Sequence, residues 1–342
     1  MRPTDTAPQT PATPNAWWRF VLVWGVGLGL LAWMLTQVPR QAVWQALQQP
    51  SAATWTLTLM GLLLSYGLRA GRLQVVMGLS DRHGTAPRLG GLRLDALRVI
   101  LMHNAAVNLL PMRAGELSFP YLASRELRMP MARAVAALLW MRLQDLAVLV
   151  SLGLLCWPTL PWPMRLAALL LVVVGWHASV WLLQRLHTDT PGTAGWRTLL
   201  NRLHGALLEP HHHRLATWGF TWANWSVKLM AGAWLISSIT GVPPGPAWTG
   251  ALGGELAAIL PVQGPAGLGT YEAGVWGGLH LGTGIDLRSA LPAALALHLC
   301  FLCCAVLAGL LAWVSGGRFE RSASAKSSPS VAHSASASGN PD

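Results

Sequence analysis

The chain has 342 residues, 53% of them hydrophobic and 11% charged, with 19 tryptophans. Soluble domains carry about a quarter charged residues, so this composition excludes an ordinary soluble domain and describes a polytopic membrane protein. The 24 Lys+Arg against 13 Asp+Glu give +11. Arginines in cytoplasmic loops account for that excess, and no aromatic-basic module points to nucleic acid.

The N-terminal segment 1–17 is rich in Pro and Thr and is expected to be disordered. It lacks the cationic start and small-residue cleavage site of a signal peptide, so the first apolar run is expected to stay as an anchor. Six runs then read as full spans, at about 18–36, 52–70, 134–156, 164–185, 215–240 and 289–315, each near the ~20 residues that a helix needs to cross a bilayer. The tail 316–342 is Ser/Ala-rich and is expected to be disordered and cytoplasmic. The body between them, 18–315, is one transmembrane unit.

Two further apolar segments, 94–128 and 248–282, are interrupted. The first contains "NLLPMRAGE" and the second "LPVQGPAGLGTYEAG". Gly and Pro weaken a helix by roughly 1 and 3 kcal/mol, and a carboxylate at bilayer depth is costly. Broken backbone inside a bilayer is tolerated where protein buries it or a watery cavity adjoins it. Both segments therefore read as re-entrant hairpins. With that assignment the six spans alternate from a cytoplasmic N-terminus. Arg69, Arg72, Arg82, Arg88, Arg93, the Arg125–Arg133 region, Arg197, Arg202 and Arg214 then fall inside, and Arg40 and Arg288 fall outside. The expected fold is an all-α integral membrane protein with about six spans and two hairpins entering from opposite sides. The shared order of Leu-Pro, Gly and Glu suggests an inverted repeat whose tips meet near the midplane.

The polar residues within these segments are His103, Asn104, Asn108, Arg113, Glu116, Arg142, Asp145, Asn224, Lys228, Glu255 and Glu272. Arg142 and Asp145 stand three apart on one helical face, where an ion pair lowers the burial cost; Arg113 and Glu116 repeat the spacing beside a break. Asn108 can bond backbone groups freed at its hairpin. Lys228 reads as a snorkelling side chain. Pro261 and Pro265 end helical geometry. Gly264, Gly267 and Gly269 allow close approach and positive φ, and amides freed at a half-helix start can hold an anion. Glu272 would be the charged wall of such a cradle. An arginine beside the cavity suits a phosphate, and a carboxylate next to it can carry a proton.

Cys156, Cys300, Cys303 and Cys304 all lie in apolar runs, and packing explains them better than metal binding. "HHH" at His211–His213 reads as a solvated loop cluster. No metal, cofactor or nucleophile set is expected.

The motifs "NLLPMRAGE", "RLQD" and "LPVQGPAGLGTYE", with "RAGRL" at Arg69–Leu73, resemble signatures of the lysylphosphatidylglycerol synthase transmembrane family, also called flippase-like. The resemblance runs over nearly the whole ordered chain; Met141 departs from it where a glutamate is expected before Arg142. It implies a bacterial inner-membrane protein that moves or handles lipids, and it marks Asn108, Pro111, Arg113, Gly115, Glu116, Arg142, Asp145, Pro261, Gly267, Gly269 and Glu272. A stand-alone member without the aminoacyl-transferase domain is expected not to aminoacylate lipids.

Three readings follow. The protein is a transporter of an anionic lipid, either a phospholipid or a lipid-linked glycan or isoprenoid. Alternatively it is a membrane enzyme acting on a lipid phosphate, or an accessory subunit for a glycosyltransferase or other lipid-modifying partner. No G-x-x-x-x-G-K-[ST] loop occurs in the sequence, so transport is expected to be downhill, ion-coupled or driven by a partner.

Overall fold

The computed structural model describes residues 17–79, 88–89, 91–157, 160–185, 195–260 and 264–327. Twelve helices occur among them: α1 (Trp17–Thr36), α2 (Arg40–Gln48), α3 (Ala52–Val76), α4 (Leu94–Leu109), α5 (Ser118–Glu126), α6 (Met131–Cys156), α7 (Trp162–Arg185), α8 (Gly195–Leu207), α9 (Leu215–Thr240), α10 (Pro244–Ile259), α11 (Thr270–Thr283) and α12 (Leu287–Ser327). A two-residue antiparallel ladder, β1 (Arg88–Leu89) with β2 (Leu92–Arg93), is the one departure from an all-α chain among the described residues.

Each of the six expected spans coincides with one helix. By length and composition, α6, α7 and the Leu287–Ser315 part of α12 are apolar enough to cross a membrane. The α2–α3 pair passes the same test as one unit bent by 84°. Helix α7 has no buried residue, and Leu170, Leu171, Val173 and Trp181 all face outward from it. A helix that is apolar all round and uncovered by protein needs an apolar solvent. Helix α12 runs on as far as Ser327, well into the Ser/Ala-rich tail.

Both interrupted segments fold as helical hairpins. Helices α10 and α11 pack antiparallel through glycines. Gly253 lies against the main chain of Gly274, and Gly278 against that of Thr249 and Gly250, so a Cβ at any of the three would strike backbone. The register is consistent, because four residues up one helix meet four down the other. Between the helices, a 3-10 turn spans Pro265–Gly267. Gly267 (φ 77) and Gly269 (φ 83) take the positive φ that their lack of a Cβ permits, and Ala266 (φ 52) takes it as well.

In the first hairpin, α4 ends at Leu109 and, past Leu110, the chain turns through a 3-10 helix, Pro111–Leu117, with Pro111 in the first turn, where a missing N–H costs nothing. Helix α5 then returns along α4. Gly115 makes the reversal possible by lying on the backbone of Ala106 and Val107 with no room for a side chain. The turn of this hairpin and the end of α4 both touch the Pro265–Gly267 turn of the other. The two tips meet.

Candidate functional site

Where the tips meet there is a cavity. Asn104 and Asn108 of α4 line one side, and Gly264, Ala266 and Gly267 of the second tip line the other. Ser65, Tyr66 and Arg69 of α3, Lys228 of α9, Glu255 of α10 and His298 of α12 complete its polar wall. These groups come from four different helices, and packing brings them together in one place.

Lys228 does not snorkel. Its Nζ lies 2.6 Å from Glu255 Oε2, with the ammonium 4.9 Å from the Phe301 ring centre and 5.3 Å from that of Trp225. The other Glu255 oxygen accepts from the Tyr271 hydroxyl at 3.4 Å. Burying either charge alone would cost several kcal/mol, so each requires the other. Arg69 differs. Its Nη1 donates to Asn104 Oδ1 at 3.0 Å, a neutral acceptor, and no carboxylate among the described residues pairs with it. The backbone carbonyl of Asn104 accepts from Asn108 Nδ2 at 2.7 Å. Asn108 thus bonds within α4, one turn back.

Glu272 is fully buried and is not the wall of the cavity. One carboxylate oxygen accepts from the Gly269 amide at 2.7 Å, closing the first turn of α11 as a third-position glutamate does in a capping box. The amide expected to cradle an external anion is therefore already held by the chain's own carboxylate. The other oxygen is 2.7 Å from His298 Nδ1, and His298 Nε2 is 3.0 Å from the Ala266 carbonyl. Tyr271 stacks on the imidazole at 4.5 Å.

A second polar cluster adjoins the cavity and shares Arg69 with it. Asp145 is 2.5 Å from Arg72 Nη1, with both side chains buried, and accepts from Trp225 Nε1 at 3.0 Å. Arg142 is 3.5 Å from Asp145 but closer to Glu116, at 2.8 Å. The pair expected from i,i+3 spacing exists, yet each member has a nearer partner from another element. His103 bonds Ser118 at 2.9 Å and lies 3.8 Å from Glu116. Met141, which stands where a carboxylate is expected, packs in the apolar cluster of α3–α6. Its carbonyl accepts from Arg72 Nη2 at 2.5 Å.

The expected site residues therefore divide. Asn108, Gly264 and Gly267 line the cavity, and Glu116, Arg142 and Asp145 form the adjoining network. Pro111, Gly115, Gly269 and Glu272 shape the two tips. Pro261 and the side chain of Arg113 lie outside the described residues.

Residues 17–309 match the family model described as lysylphosphatidylglycerol synthase TM region. The chain belongs to that family. No curated protein matches it. As a lysylphosphatidylglycerol synthase TM region, it has a role connected with membrane lipids, and its long apolar helices fit a multi-pass membrane protein.

Reading the sequence alone missed His298. It sits in the apolar run "ALALHLCFLCC", and an ionisable group there is the same signal that picked out Lys228. Arg69 was read as a cytoplasmic arginine and as part of the "RAGRL" motif, but not as a residue of the site. His212 corrects another expectation, since it is fully buried rather than solvated. Its Nε2 bonds the Ala206 carbonyl at 3.0 Å, while its Nδ1 has no hydrogen-bond partner. Burial pushes this imidazole down to about 4. His213 packs edge-on against Trp140 at 4.8 Å. No group of three or more His, Cys, Asp or Glu able to hold a metal occurs among the described residues.

Proposed function

We propose that this protein carries an anionic lipid headgroup across the bacterial inner membrane through the cavity between its two broken hairpins. One observation carries the reading. Arg69 lines the cavity with a neutral partner, whereas Lys228 beside it is already matched by Glu255. The cavity therefore holds an excess positive charge with guanidinium donors to spare, which suits a phosphate. Amide and hydroxyl groups of Asn104, Asn108, Ser65 and Tyr66 supply neutral hydrogen bonds around it.

The hairpins support a path for such a headgroup. Helix α10 has 16 residues, or about 24 Å at 1.5 Å per residue, less than the ~30 Å hydrocarbon core. Its antiparallel return through α11 brings the chain back to the side it left. Both hairpins are re-entrant in this reading, with the termini cytoplasmic as the arginine distribution favours. A headgroup at the tips would then sit near the bilayer centre, shielded from hydrocarbon by protein, while its acyl chains remain in lipid.

The test is the lipid that stays with the purified protein. Native mass spectrometry of the wild-type chain in mild detergent should reveal a bound anionic lipid, and Arg69→Gln should lose most of it. Equal retention by the variant would remove Arg69 from headgroup binding and the proposal with it.

A further inference from the structure

The contacts of His298 fix how many protons it and Glu272 share. A carbonyl only accepts, so the 3.0 Å contact to Ala266 requires a proton on Nε2. The 2.7 Å contact between Nδ1 and Glu272 Oε1 then needs a proton too, carried either by the imidazole or by the carboxyl group. The second Glu272 oxygen takes the Gly269 amide and cannot relieve this requirement. In both forms the pair is neutral overall and holds one proton between its two members. Remove that proton and a nitrogen lone pair faces a carboxylate at hydrogen-bond distance. The ring must then turn or shift its remaining proton to Nδ1, and either change gives up the Ala266 carbonyl.

Ala266 is the residue at φ 52. An L-residue other than Gly, Asn or Asp in that region costs on the order of 1 kcal/mol, so the tip is a strained turn whose carbonyl is fastened by one imidazole. We infer that the proton shared by Glu272 and His298 is the coupling proton: bound, it latches the second hairpin tip over the cavity, and released, it frees the tip. For its consequence, though not for its geometry, the inference rests on the proposed transport role.

Several elements packed around His298 bring ionisable groups towards it. From α11 it meets Glu272 and the stacked Tyr271, whose hydroxyl is bonded to Glu255 of α10. From α9, Lys228 is matched by Glu255, and from α3, Arg69 faces the same cavity. Helix α4 presents the neutral Asn104 and Asn108. Helix α1 also touches the tip, and Arg19, near its start, is its single ionisable residue.

Two substitutions move the latch in opposite directions. In Glu272→Gln the amide oxygen can accept from Gly269 and the amide N–H can donate to Nδ1, reproducing the protonated pair with no proton to lose. In His298→Phe the stack on Tyr271 is kept and the bond to Ala266 is lost. The experiment places a reporter thiol on the cavity wall, Ala258→Cys, in a full-length chain whose four native cysteines are replaced by alanine. The protein is reconstituted in liposomes and reacted with a small impermeant thiol reagent. Each rate is divided by that of the same reporter carrying Glu272→Gln, which cancels the titration of the thiol. The ratio should rise about tenfold as the buffer is taken from acid to alkaline, and His298→Phe should be high throughout. A ratio that stays constant with pH overturns the latch. Lipid movement measured in the same liposomes separates the two ideas. A pH-dependent ratio without lipid movement sustains the latch and removes the transport role, whereas lipid movement with a constant ratio does the reverse.

Discussion

Arg142 of α6 and Glu116 of the first hairpin stand 2.8 Å apart, bolting a re-turning segment to one of the long apolar helices. The link also draws in Asp145 and, through it, Arg72 of α3 and Trp225 of α9. The first hairpin is therefore positioned by charge as well as by packing. Because the Arg142 side chain is 31% exposed, solvent screens part of its attraction, and the link is weaker than a sealed pair. Glu116→Gln and Arg142→Gln should each lower the unfolding temperature in detergent, and the double variant should lose less than their sum. A coupling of about 1–2 kcal/mol is expected; strict additivity would mean that the two side chains do not work together.

Arg72 and Asp145 form a sealed pair, with side chains only 3% and 6% exposed. Removing one partner leaves a buried charge uncompensated, at a cost of about 3–5 kcal/mol. Asp145→Asn should accordingly give little folded protein on size-exclusion chromatography. Arg72→Met with Asp145→Leu, which removes both charges, should recover much of it. If the double variant folds worse than Asp145→Asn, the penalty does not come from a stranded charge.

The second hairpin depends on glycines that touch backbone. Gly274→Ala places a methyl group against Ala257 and the Gly253 carbonyl and should cost about 1–3 kcal/mol. Gly277→Ala, on the same helix but with nothing within 4 Å of its added Cβ, should be neutral or stabilising by up to about 1 kcal/mol. Thermal unfolding of the two variants side by side measures the difference, and equal unfolding temperatures would show that close helix approach is not required.

His212 makes stability fall in acid. Its imidazole titrates near 4 in the folded chain against the usual 6.5, so the unfolded chain binds the extra proton between those values. Stability from this group is complete above about pH 6.5 and is lost as pH falls towards 4, up to about 3 kcal/mol in all. The physical reason is that a proton on Nδ1 would enter a buried position with no acceptor. His212→Gln should flatten the unfolding temperature between pH 7 and pH 5. A variant that loses as much stability as the wild type would assign the acid sensitivity elsewhere.

What the sequence made legible was whatever a helix or a break encodes locally. The six long helices follow from apolar runs, and the two hairpins from Gly and Pro within them. Asn108, Glu116 and Asp145 were identified because polar groups in apolar runs need partners. The partners themselves were not legible. Spacing pairs Arg142 with Asp145, three residues away, but packing brings Glu116 and Arg72 closer from elements that spacing does not connect. Lys228 was read as reaching for the membrane surface because Glu255 lies 27 residues further on, and only the fold sets them face to face. Glu272 was assigned to the cavity, and burial behind His298 moved it out. The lesson of Ala266 is similar: a left-handed alanine leaves no trace in composition, since any sequence rule would have placed that conformation on the neighbouring glycines.

The central claim is that Arg69 serves an anionic headgroup in transit, and translocation itself tests it most directly. Proteoliposomes containing a fluorescent anionic phospholipid would be bleached from outside and the reduction followed with time. Wild-type protein should expose inner-leaflet lipid well above protein-free liposomes, and Arg69→Gln should slow this about tenfold or more, the loss of one charged contact worth some 1.4 kcal/mol. Arg165→Gln, whose native arginine caps the end of α6 through the Leu155 and Trp157 carbonyls and does not line the cavity, should keep transport near the wild-type rate in whatever folded fraction it yields. If folded Arg69→Gln moves lipid as fast as the wild type, the headgroup does not pass Arg69 and the account is wrong.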